Sequence, residues 1–404
     1  MSGRDASYDV ICVGGGLGGA GLARAMAERG ARVLVLERET HFRDRVRGEF
    51  LECWGVAEAR ALGLDAALAA AGAHASPLLD TYLGPIHAAR RNFSDPAEPA
   101  PPLCVSHPGL QEAVLAAAAA AGAEVRRGAT VTEVLPGASP AVRFRGERGE
   151  SAPAGARLVV GADGRDSKLR RWLGFAELRD PQRLCLAGLL LEDYDGPADS
   201  SALFWNFPVA EEALLFPRAG GTLRAYMAYR SDTGVRRFSG KDRIADFLRA
   251  CHAAGVPEAW LRRARPAGPL AGFEGADSSV AHPVREGVVL IGDAAACSDP
   301  VWGCGMSLTF RDVRVLRDAL LASSDWNAGA RAFAGEHDRY YARLRTVEDW
   351  MTQIFFDVGS EADARRARVL ARMATEPDRF PDVVGRGPDL EVDERARRRY
   401  FAED

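Results

Sequence analysis

Lysine is almost missing from this chain: of 52 basic residues only Lys168 and Lys241 are lysine, and the rest are arginine. The bias reflects base composition more than chemistry, yet it leaves few candidates for a reaction that needs a lysine. Histidine is sparse too, seven residues with no HxxxH or HExxH pair, so neither a zinc-hydrolase motif nor any other metal site is expected. The seven cysteines run from Cys12 to Cys304 without a CxxC pair. An odd number at irregular spacing excludes a disulfide framework and points to reduced thiols in a cytoplasm. No apolar run approaches the ~18 residues that span a bilayer, and the first apolar stretch leads straight into a glycine turn, so neither a membrane span nor a leader is expected. A net charge of −4 provides no basic field for nucleic acid or an anionic membrane.

What is present begins with that turn. Residues 9–13 read as a buried strand, 20–29 as a helix and 31–36 as a second strand ending in Glu37; between the first two lies Gly14-Gly15-Gly16-Leu17-Gly18-Gly19. In a GxGxxG turn Gly14 permits the tight bend, Gly16 lets the backbone approach a pyrophosphate, and Gly19 lets helix pack on strand. The helix N-terminus then favours the phosphate charge. Glu37 is placed to accept hydrogen bonds from the ribose of an adenosine, where a 2′-phosphate would be disfavoured.

A second segment, Gly161-Ala162-Asp163-Gly164, follows an apolar strand at 158–162, and a third, Gly292-Asp293, follows one at 287–291. Asp163 either shapes an Asp-Gly turn or faces a ligand; Asp293, closing a buried strand, needs a partner. Across 183–229 the pattern switches to period two, with Leu223, Ala225, Met227 and Tyr229 alternating with Arg224, Tyr226 and Ala228. That reads as an antiparallel sheet. Helical pattern follows at 243–254 and dominates beyond 311, notably over 336–356 and 361–373. With 404 residues, 47% of them apolar, the chain can bury two or three domains.

The set GxGxxG…Glu37, GADGRDSKLR and GDAAACSDPVWGCG, spread over residues 8–330, resembles the flavoprotein monooxygenase superfamily typified by FAD-dependent aromatic hydroxylases. The resemblance implies an α/β fold: a Rossmann-type FAD-binding domain of residues 1–76, 103–175 and 277–325. Residues 77–102 and 176–276 would form an inserted antiparallel β-sheet substrate domain, and 326–404 a helical C-terminal region. It implies FAD held by Gly14 to Gly19 (Gly15, Gly16, Leu17 and Gly18 included), Glu37, Arg38, Arg45, Arg47, His107, Val131, Asp163, Gly292, Asp293, Pro300, Gly303, Gly305 and Met306. Asp293 would meet a ribityl hydroxyl. His107 stands where the family usually has Arg or Gln, and Arg45 and Arg47 also read as ordinary solvated arginines.

The implied activity is oxygenation of an aromatic or polycyclic small molecule with NAD(P)H and O2 through a flavin C4a-(hydro)peroxide, of the kind used in secondary metabolism. No catalytic base and no oligomeric state are assigned. Trp54, Tyr82, Trp205, Tyr226, Tyr229 and Trp302 are candidates for the substrate pocket, though large aromatics are more often core; Cys297 and Cys304 read as packing residues. Ala296 replaces the usual His, and Asp299-Pro300 resembles flavin-dependent halogenases and geranylgeranyl reductases. A halogenase, an isoprenoid reductase and a non-catalytic FAD-binding redox module therefore remain as alternatives. Leu203 to Pro208 only hints at the halogenase WxWxIP motif, and neither lysine fits its catalytic position.

Overall fold

The computed structural model describes residues 7–233 and 237–404. Strand β1 (Ser7–Val13), helix α1 (Leu17–Ala27) and strand β2 (Val33–Glu37) form the βαβ unit around the glycine turn. The chain then leaves for a hairpin, β3 (Leu78–Leu83) and β4 (Ile86–Asn92), and returns as helix α2 (His107–Ala120) and strand β5 (Ser151–Gly161). It leaves again as β6 (Leu184–Glu192), β7 (Ser200–Asn206), β8 (Glu211–Arg218) and β9 (Thr222–Arg230), followed by helix α3 (Arg243–Ala254). Strand β10 (Val288–Leu290) brings it back before two long helices, α4 (Gly305–Leu321) and α5 (Trp326–Phe355).

Two large sheets result. In the first, β10, β5, β1, β2 and the strand Glu124–Arg127 lie side by side in parallel, and a hairpin of Thr130–Leu135 and Ala141–Arg145 joins β5. Strand alternation divides the side chains between two covered faces. Val10, Cys12, Val33 and Val35 pack in one core with residues of α1, α2 and α4, whereas Ile11, Val13, Leu34 and Leu36 pack with Val131, Val134, Val142 and Phe144 of the hairpin. Burial on both faces explains the unbroken apolar runs in β1 and β2, where each enclosed side chain contributes roughly 1.5–3 kcal/mol.

The second sheet has the order β6-β9-β8-β7-β3-β4. Its pairs are antiparallel except β7 with β3, which is parallel. Strand β3 arrives on an earlier excursion, and two strands not joined by a hairpin are free to run the same way. One face, including Ala187, Phe204, Leu215, Met227 and Tyr229, packs on α3. The other, including Leu186, Trp205, Leu214, Phe216 and Tyr226, shares a core with Trp302 and with Leu344, Trp350 and Phe355 of α5.

Helix α5 is 30 residues long, about 45 Å. It begins well before residue 336 because the Asp325 side chain caps it, accepting from the Asn327 and Ala328 N–H groups. No helix among the described residues is long and apolar enough to cross a membrane.

Candidate functional site

Between the sheets, at the carboxyl ends of β1, β2, β5 and β10, opens a cleft of about 2240 Å³, several times the ~300–1,000 Å³ of a single drug-sized pocket. At one end the backbone turns at Gly14, whose φ is +102° and where a Cβ would stand 2.3 Å from the Ala162 carbonyl oxygen. A Cβ on Gly19 would stand 1.9 Å from the Gly14 oxygen, so only glycine lets α1 start this close to β1. No side chain caps α1 at Gly16. Gly14, Gly16, Leu17 and Gly18 line the cleft; Gly15 and Gly19 stand behind them.

Glu37, at the end of β2, is 6% exposed and lines the cleft. Its Oε2 accepts from the Gly15 N–H at 2.6 Å and its Oε1 from the Glu39 N–H at 2.8 Å. Each oxygen retains a lone pair for a hydroxyl donor. Val131 closes the cleft beside it. Asp163 also lines the cleft, but its carboxylate is engaged: it accepts from Ser167 Oγ at 2.5 Å and from the Lys168 and Leu169 N–H groups, tying down the start of the helix Lys168–Trp172.

Asp293 differs. It sits on the turn Gly292–Ala294 after β10 and lines the cleft; its backbone oxygen accepts from Cys297 Sγ at 3.4 Å, while its carboxylate makes no hydrogen bond or ion pair among the described residues. The turn is held from beneath, where the Gly292 N–H donates to Asp312 Oδ2 at 2.7 Å; Asp312 in turn accepts from Tyr340 of α5.

The next turn, Pro300–Trp302, is capped by Asp299 through the Val301 N–H, and Gly303 follows with φ +77°. Helix α4 then starts at Gly305 with no side-chain cap. Pro300, Gly303, Gly305 and Met306 all line the cleft, so the helix's free N–H groups and positive dipole end open onto it. Glu52 lies beneath, its Oε1 3.7 Å from where a Cβ on Gly303 would be. It accepts from Trp54 Nε1 at 2.5 Å, and burial pushes its carboxyl up to about 8. Burial likewise pushes Asp299 up to about 7.

The arginine stretch edges the cleft. Arg38 and Arg45 both pair with Glu39 and are mostly exposed; Arg47 lies over the Phe273 ring. Next to Arg47, the buried Glu49 accepts from the Tyr226 hydroxyl and stands 3.0 Å from Arg224, which also pairs with Asp44 at 2.6 Å. This buried set ties the stretch to the second sheet. His107 packs with Met306 around Gly48. Burial and the Arg47 charge push its ring down to about 4, so it is neutral.

At the far end the walls are aromatic. Trp205 lines the cleft with its ring 4.2 Å from Phe355 and 6.4 Å from Trp302. Tyr226 lines it too, with its hydroxyl committed to Glu49. Three other aromatic candidates lie elsewhere. Thr81 and Leu83 face the cleft, so alternation turns Tyr82 to the opposite side, stacked on Phe204 at 4.3 Å. Tyr229 packs on that same side against Phe238. Trp54 is enclosed behind Glu52 and against Gly387. Glu52, Glu212 and Phe355 line the cleft without belonging to any motif; only their place in the fold brings them there.

The profile of a family described as FAD binding domain matches residues 7–350. Ubiquinone hydroxylase UbiL of Rhodospirillum rubrum is 29% identical over 385 residues, covering 90% of this chain and 85% of that protein. Squalene epoxidase 4 of Arabidopsis thaliana is 27% identical over 329 residues, covering 78% and 63%; the chain thus spans about three fifths of the length of the plant epoxidases it matches. Among solved structures, p-nitrophenol 4-monooxygenase PnpA from Pseudomonas putida superimposes with a TM-score of 0.77 at 19% identity, over 98% of both chains. The flavin-dependent brominase Bmp2 does so with 0.77 at 16%, over 95% and 96%. At those identities the likeness is one of fold.

Proposed function

Because the chain belongs to the FAD binding domain family, within the flavoprotein monooxygenase superfamily, we propose that it uses FAD, NAD(P)H and O2 to oxygenate an aromatic or polycyclic small molecule. One observation carries this reading: a single cleft joins the glycine turn and Glu37 to an aromatic chamber, with the uncapped start of α4 between them. The donor set suits FAD. The α1 N-terminus takes the diphosphate, Glu37 the adenosine ribose, and the Asp293 carboxylate a hydroxyl of the ribityl chain.

When bound, FAD supplies the redox and oxygen-transfer chemistry. The protein supplies position and electrostatics. The uncapped α4 N-terminus, opening onto the cleft beyond Gly303, would favour negative charge on a group bound there. Trp205, Trp302 and Phe355 give the reacting region an apolar lining that holds a flat substrate and excludes water. A second dinucleotide fingerprint is absent from the sequence, which suits a nicotinamide that docks only transiently.

The halogenase alternative is less well supported. Of the two lysines only Lys168 lines the cleft, and it stands on the Asp163 turn of the first sheet.

The test uses the FAD-loaded protein, reduced anaerobically with NADPH or NADH and then mixed with ¹⁸O2, across phenolic and polycyclic compounds. Faster reduction with one compound and ¹⁸O in its product support the reading. Reduced flavin that returns to the oxidised form without label in any compound overturns it.

A further inference from the structure

Strand β8 opens with two glutamates whose surroundings differ. Glu211 points to the α3 side, where it pairs with the Arg237 guanidinium. Alternation turns Glu212 the other way, onto the cleft, opposite Trp205 on β7 and Ala228 on β9. Glu212 is 2% exposed, and its carboxyl has no hydrogen bond or ion pair among the described residues. Its neighbours on the same face of β8 are Leu214 and Phe216, and Leu83, Leu203, Trp205 and Phe355 complete the wall around it. An unpartnered carboxylate in an apolar wall is strongly disfavoured, and burial pushes this carboxyl well above the usual range, favouring the neutral acid. A proton-bearing carboxyl in an apolar wall is an O–H donor and a C=O acceptor with nothing to bond, a costly arrangement in the absence of a ligand.

We propose that Glu212, as the neutral acid, is the hydrogen-bonding anchor of the substrate chamber, selecting uncharged ring compounds that bear a carbonyl or phenolic oxygen. The proposal rests on the reading of this cleft as the site of a monooxygenase. Hydrocarbons leave the acid unpaired, and carboxylates bring a second charge into an apolar chamber. A site built around such a bond rejects analogues that lack the bonding atom. Glu212 touches the substrate in this scheme but moves no proton in the reaction.

Binding to the oxidised FAD-loaded protein tests it, read from the flavin absorbance with naphthalene, 1-naphthol, 1-tetralone and 1-naphthoate as probes. The wild type is expected to bind naphthol and tetralone about tenfold tighter than naphthalene, and naphthoate most weakly. Glu212→Leu should reduce that preference to about twofold or less while naphthalene binding is kept. Glu212→Gln, which keeps a donor and an acceptor, should retain most of it. Glu212→Leu should also melt at or above the wild-type temperature, since it removes an unpaired buried acid. A preference that survives in Glu212→Leu, naphthoate bound as tightly as naphthol, or no binding of any probe overturns the proposal. Glu212-dependent binding without ¹⁸O transfer would remove the oxygenation reading and leave the anchor. Transfer with the same preference in Glu212→Leu would do the reverse.

Discussion

Glu37 and Asp293 differ in how far the protein has already engaged them. The Glu37 carboxylate is pinned by two backbone N–H groups, whereas the Asp293 carboxylate accepts no hydrogen bond among the described residues and feels the charges of Arg165 and Arg47. Replacing Asp293 with Ala should weaken FAD binding about 10- to 100-fold, the range for a hydrogen bond to a charged group. Glu37→Arg should leave a folded protein that purifies almost without flavin. The FAD-to-protein absorbance ratio measures both, and wild-type content in both variants would contradict the assignment. Glu52 gives a prediction in pH. Its carboxyl, raised by burial to about 8 from an ordinary 4.5, is neutral in the folded state, so its contribution is full below about pH 4.5 and is lost as pH rises through about 8. Asp299, raised to about 7, acts in the same direction. The melting temperature should therefore fall from about pH 5 to about pH 8.5, and Glu52→Gln should flatten that slope; an unchanged slope would show that the carboxyl is not its source.

The turn before α4 does its work through backbone shape. Gly303 has φ +77°, and a Cβ there would make only an ordinary contact, with Glu52 Oε1 3.7 Å away. A valine there is opposed by backbone strain of about 1–2 kcal/mol rather than by a clash. Gly303→Val should keep its FAD, since Glu37 and the glycine turn lie at the other end of the cleft, yet slow flavin reduction about tenfold by shifting the α4 N-terminus. Anaerobic stopped-flow with NADPH reads this, and a wild-type rate would remove the turn from the mechanism. Much of this level was readable in advance. The GxGxxG turn, the return of an apolar strand at 287–291 and the period-two pattern after 183 depend on neighbours in the chain. The parallel pairing of β3 with β7 does not, because it joins two separate excursions.

The cleft is assembled from parts far apart in sequence: the β1 turn, the Arg47–Glu49 stretch, β7 and β8, the 300–303 turn and the end of α5. A dinucleotide lying along it would contact groups on several of them and stabilise the folded chain by mass action. FAD at a hundred times its dissociation constant should add about 2.7 kcal/mol. The melting temperature of the flavin-free protein should therefore rise with the logarithm of added FAD, and less with ADP, which reaches only the adenosine end. An identical response to both would mean that the flavin half makes no stabilising contact.

The glycine-turn end of the cleft was legible because its constraints are local. A glycine that must avoid the carbonyl facing it, a helix start and an acid closing the next strand lie within thirty residues. The chamber was not, since strand alternation and packing decide which side chains reach it. Those two factors turn Tyr82 and Tyr229 to the side of the sheet away from the cleft, enclose Trp54, give the Asp163 carboxylate to a helix start, and bring forward Glu52 and Glu212, which no motif marks. Residue type and spacing dictate what a turn can do; whether a carboxyl meets an arginine, as Glu211 does, or an apolar wall, as Glu212 does, depends on segments that only the folded chain brings together.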